Sequence, residues 1–89
     1  MRIGTKHENS INIENTDIEL AFRGVDDNLN IKIKGWDLGK ISKFLESVKE
    51  ETLKVKDVQD NKGINCSGSY KIKNLNKGKN ILNVTLSKA

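Results

Sequence analysis

The chain has 89 residues and a mass of 10.0 kDa, with 16 Lys+Arg against 12 Asp+Glu and a single cysteine. That length holds one domain with a thin core, because a chain this short buries only about 60–65% of its unfolded surface. The lone cysteine excludes an internal disulfide, and no apolar run approaches the roughly 18–20 residues that a membrane-spanning helix needs.

Residues 1–9 read as a frayed leader, leaving 10–89 as the domain. The opening MRIGTKHENS has no apolar stretch of a secretory signal. With the unpaired cysteine, this leads to the expectation of a soluble protein of the cytoplasm. Asn9 to Asn15 carries Ile11 and Ile13 in alternation, a short strand. Asp17 to Arg23 alternates throughout, with Ile18, Leu20 and Phe22 assigned inward and Glu19, Ala21 and Arg23 outward. Gly24-Val25-Asp26-Asp27-Asn28 is turn chemistry, since Gly, Asn and Asp tolerate left-handed backbone. Leu29 to Lys34 alternates again, so the two runs predict a hairpin.

The period changes after Gly35-Trp36-Asp37. Leu38, Ile41, Leu45 and Val48 recur at helical spacing with Phe44 beside them, and Lys40, Lys43, Glu46, Lys49 and Glu50 fill the outer face. Asp37 is placed to cap a helix over 38–51, with Trp36 before the cap. Thr52 to Val58 returns to alternation through Leu53 and Val55. Asp60-Asn61-Lys62-Gly63 is a turn, Ile64 to Lys73 a longer strand, 74–80 a polar loop, and Ile81 to Ser87 the last strand. The predicted class is α+β: a mainly antiparallel sheet in the order β-β-β-α-β-β-β, with one amphipathic helix covering one face.

Charge is uneven along this order. Met1 to Glu51 holds eight Lys/Arg and ten Asp/Glu, whereas Thr52 to Ala89 holds eight Lys and two Asp. Alternation assigns Glu19, Arg23, Asn30, Lys32, Lys34, Lys54, Lys56, Ser69, Lys71, Lys73, Asn83 and Thr85 to the uncovered sheet face. Such a basic platform suits a polyanion. The residues expected to bind are Arg23, Lys32, Lys34, Lys54, Lys56, Lys71, Lys73, Lys77 and Lys79. Lysine on exposed strands is also an ordinary guard against edge-to-edge aggregation. With 14 Lys to two Arg and all four aromatics assigned to the core or its edge, the expected binding is to phosphates and not to bases.

Catalytic chemistry finds little to work with. His7, the one histidine, falls in the leader, and Cys66 falls on an inward strand face. No Cys/His spacing fits zinc. Asp57, Asp60 and Asn61 before Gly63 have the wrong spacing for a calcium loop and no closing Glu. The expectation is no catalytic residue, metal or cofactor. The reading is a non-catalytic module that binds nucleic acid. The alternative is a protein-binding accessory or inhibitor, such as a phage- or plasmid-borne protein that blocks a host nuclease or defence factor. Self-association through the open face or an edge strand is a third route.

Overall fold

A computed structural model describes residues 1–4, 10–48 and 52–89. Two hairpins, built by the alternating runs, lie side by side. Strand β3 (Ile18–Arg23) turns back into β4 (Leu29–Lys34), and β6 (Gly68–Gly78) into β7 (Ile81–Lys88). Short strands β1 (Arg2–Gly4) and β2 (Ser10–Asn12), helix α1 (Leu38–Ser47) and strand β5 (Thr52–Lys56) complete the set. All strand pairings are antiparallel, in one seven-stranded sheet of order β2-β1-β5-β6-β7-β4-β3. This is the expected α+β class. The basic second half supplies the three central strands, and the first half supplies both flanks.

One face of the sheet is apolar because alternation makes it so. Leu29, Ile31 and Ile33 of β4, Leu53 and Val55 of β5, and Leu82, Val84 and Leu86 of β7 are all buried. Helix α1 covers this face with Ile41 and Phe44, joined by Val48 at its C-cap. Asp37 caps it as expected, its Oδ1 accepting from the Lys40 amide at 2.9 Å. Trp36 packs edge-on against Phe44, with ring centroids 5.9 Å apart, and its indole N–H points to Asp17 Oδ2 at 3.4 Å. Leu38 does not join the apolar stripe and is 74% exposed. At about 100° per residue, Ile41, Phe44 and Val48 fall within a narrow arc, and Leu38 lies on its flank. The part of the expected helix at 49–51 lies outside the described residues, as does His7. Among the described residues, no helix is long and apolar enough to cross a membrane.

Four other expectations need correction. Residues 2–4, expected to be frayed, are part of the sheet. Arg2–Gly4 is a strand, paired with β2 on one side and β5 on the other, and Met1 and Ile3 are buried. The observed order is therefore β-β-β-β-α-β-β-β. The strand expected from Ile64 begins only at Gly68. Ile64 stays exposed because the Asp60 Oδ1 accepts from the Lys62 and Ile64 amides, at 2.8 and 2.9 Å, and holds that stretch in a loop. The expected loop at 74–80 is mostly strand, with β6 running to Gly78 before a tight turn in which Asn80 takes φ +58°. Finally, β3 carries a bulge between Ile18 and Leu20 that leaves Glu19 and Leu20 both opposite Lys32. Downstream of it the faces exchange. Ala21 and Arg23 turn to the helix side, opposite Ile31 and Leu29, and Phe22 turns to the open side, opposite Asn30.

Candidate nucleic-acid interface

The uncovered sheet face can be read row by row from the strand register. At one flank, Asn12, Arg2 and Lys56 stand abreast on β2, β1 and β5. The next row is Ser10, Gly4, Lys54 and Ser69, and then Thr52, Lys71 and Ser87. A neutral belt follows. Asn74, Thr85 and Asn30 align, with Thr85 Oγ1 donating to Asn30 Oδ1 at 3.0 Å, beside the row of Asn76, Asn83 and Lys32. Lys34 lies opposite Ile81 at the far end, and Leu20 and Phe22 form the outer edge on β3. Alternation along each strand positions these side chains, with two bulges resetting its phase in β3 and β6.

The electrostatic sign of this face is clear. Arg2, Lys32, Lys34, Lys54, Lys56 and Lys71 lie on it. Glu19, in the β3 bulge, is the acidic side chain there among the described strand residues, and it pairs with Lys32 at 3.3 Å. Among the described residues, no ion pair engages Arg2, Lys34, Lys54, Lys56 or Lys71. Their charge is therefore available to an incoming anion.

The structure brings together some of the residues expected to bind and separates others. Lys32, Lys34, Lys54, Lys56 and Lys71 share the open face. Lys73 is the extra residue of a second bulge, between Ile72 and Asn74, and is exposed. That bulge turns Leu75 and Lys77 to the helix side, opposite Val84 and Leu82, and Lys79 sits in the turn beyond β6. Arg23 is the clearest correction. It belongs to the other side of the sheet, where its Nη2 donates to the Tyr70 hydroxyl at 2.7 Å and its guanidinium lies 5.5 Å from that ring's centroid. The Tyr70 hydroxyl in turn donates to the Cys66 carbonyl at 2.6 Å. Asp27 closes this cluster. It accepts from Lys88 Nζ at 2.8 Å and lies 3.8 Å from Arg23 Nε. The hydrogen bond and charge of Lys88, helped by Arg23, hold the Asp27 carboxyl below its ordinary value.

Sequence reasoning missed Arg2, which lay in the supposed leader, and Phe22, which the bulge turns outward. The only signal for β1 was Ile3 between two non-apolar neighbours, too short a run to show a period. Cys66 is buried in the core, its Sγ directed to the Ile64 carbonyl at 3.4 Å. Among the described residues, no three His, Cys, Asp or Glu side chains converge in a metal-ligating group. No protein-family model, curated protein or solved structure matches this chain.

Proposed function

We propose that this protein is a non-catalytic module that binds nucleic acid through phosphate contacts on the open face of its sheet. The observation that carries the reading is the set of cations on that face that have no ion-pair partner among the described residues, where the one acidic side chain of the described strands, Glu19, is already paired with Lys32. Neutralising phosphates of a polyanion with those cations releases its condensed counterions, a favourable and sequence-independent term. Lysine point charges dominate the face, and Arg2 is its one guanidinium, so bidentate recognition of guanine has little to build on. Asn74, Asn76 and Asn83, in the belt between the cationic flanks, supply neutral amide donors to sugar and phosphate oxygens.

Fluorescence anisotropy with labelled single- and double-stranded oligonucleotides tests the reading. Binding is expected at low salt, with affinity falling steeply as salt rises and little dependence on sequence. The Lys54→Gln, Lys71→Gln double variant should bind more weakly, and Lys40→Gln, on the helix, should not. Absence of binding at low salt to every oligonucleotide overturns the proposal, because attraction is strongest there.

One feature favours the alternative of a protein-binding accessory or inhibitor. Val25 is 82% exposed at the tip of the β3–β4 loop, beside Asp26 and Asp27, both with φ near +60°. Loops carry many binding residues, and an exposed apolar tip suits a protein partner. A stoichiometric protein complex that Val25→Ser abolishes, without affinity for oligonucleotides, would select that reading.

A further inference from the structure

The basic flank of the open face is concave at Gly4. On β1, only Arg2 and Gly4 face outward, and Gly4 stands between Ser10 on β2 and Lys54 on β5. With no side chain at that position, the sheet has a gap floored by backbone. Around it lies a cleft of about 480 Å³ whose walls include Arg2, Lys54 and Lys56. The three cations have no ion-pair partner among the described residues. Arg2 stands directly opposite Lys56 across the β1–β5 pair, an arrangement of like charges that destabilises a sheet unless something neutralises it.

From these features we infer that the recess over Gly4 is an anchoring site for a phosphate monoester. The inference rests on the polyanion reading for its biological setting, though not for its chemistry. A phosphodiester carries one negative charge, whereas a monoester carries about −1.5 to −2 at neutral pH and three acceptor oxygens. Three convergent cations match the second better than the first. Arg2 supplies a planar fork that can hold two of those oxygens, Lys54 and Lys56 supply point charges, and Ser10 supplies a hydroxyl at the rim. Asn12 is not counted, since its amide already donates to Glu14 at 3.0 Å. The source of the monoester is either the terminal phosphate of a nucleic-acid strand or a free phosphorylated small molecule. The arms of the test separate them.

Two substitutions test the site by different physics. Gly4→Val fills the recess and leaves every charge in place. A Cβ at Gly4 would meet Lys54 O and Cβ at 3.8 and 3.9 Å, ordinary contact, and a β-branched residue suits a strand, so the variant should fold. Lys56→Glu replaces the like-charge pair with an Arg2–Glu pair, and should raise the denaturation midpoint while removing anion affinity. The probes are inorganic phosphate, followed by amide chemical shifts, and matched oligonucleotides with a 5′-phosphate or a 5′-hydroxyl. Phosphate is expected to perturb Gly4, Lys54 and Lys56 selectively, with affinity weakened about tenfold or more in both variants, the effect of losing a charge-assisted contact. Tighter binding of the 5′-phosphorylated strand, lost in Gly4→Val, assigns the site to strand ends. Phosphate binding without oligonucleotide binding assigns it to a free small molecule and overturns the nucleic-acid reading alone. Phosphate shifts spread evenly over all lysines, or unchanged in Gly4→Val, overturn the inference. Oligonucleotide binding that ignores the 5′ group then leaves the broader reading standing.

Discussion

Tyr70 shows how a single side chain ties two halves of the chain together. It is 1% exposed, yet its hydroxyl is fully used, donating to the Cys66 carbonyl and accepting from Arg23. Tyr70→Phe would keep the ring and leave the Cys66 carbonyl without its donor. A buried acceptor left unpaired costs about 1–3 kcal/mol, and urea denaturation should show a loss in that range. Asp27 acts at the rim of the same cluster. Lys88 holds its folded-state pKa below that of an ordinary Asp carboxyl, so the pairing stabilises the fold fully above that ordinary value. The contribution is lost as pH falls through the lowered folded-state pKa. Asp27→Asn keeps a residue that tolerates the φ of +60° seen there. Its denaturation midpoint should lie below that of the parent at neutral pH and converge with it in strong acid; a constant gap across pH would contradict this account.

At the scale of elements, β1 carries the sharpest consequence. Ile3 is 1% exposed and stands between Ile11 and Val55 on the neighbouring strands. Ile3→Ala should cost about 2–5 kcal/mol in urea unfolding, as truncations of buried Ile commonly do, whereas a leader residue would cost almost nothing. That loss is large against the 5–15 kcal/mol or so that holds a typical domain folded. Helix α1, β4, β5 and β7 were legible in the sequence because each repeats its period over several residues and is bounded on at least one side by Gly, Asp or Asn. The exchange of faces in β3 was not legible. Ile18-Glu19-Leu20-Ala21-Phe22-Arg23 alternates without a break, and nothing local says that Glu19 is surplus to the pairing. A bulge is a property of two strands, set here by how β3 registers against Ile33, Lys32 and Ile31. The same reason hid the reversal after Ile72, which sends Lys77 to the helix side.

The whole molecule arranges its charge by topology. The three strands of the basic half lie at the middle of the sheet, so Lys54, Lys56 and Lys71 share a face with Arg2 on one side and with Lys32 and Lys34 on the other. If the face engages a single strand with each of these six cations neutralising one phosphate, log K should fall against log salt with a slope of about −4; for duplex it should be about −5. A slope near −1 would mean that one local contact, and not the platform, carries binding. The amino-acid sequence by itself determined the α+β class, the capped amphipathic helix, the β3–β4 hairpin and the lysine-rich character of the exposed strands. Each follows from short-range periodicity and from backbone preferences of individual residues. Only the tertiary structure decided which cations act together. Strand order, the two bulges and the docking of β1 between β2 and β5 depend on pairings between residues far apart in the chain. Those pairings moved Arg23 away from the open face, brought Arg2 onto it, and set a glycine among its unpaired charges.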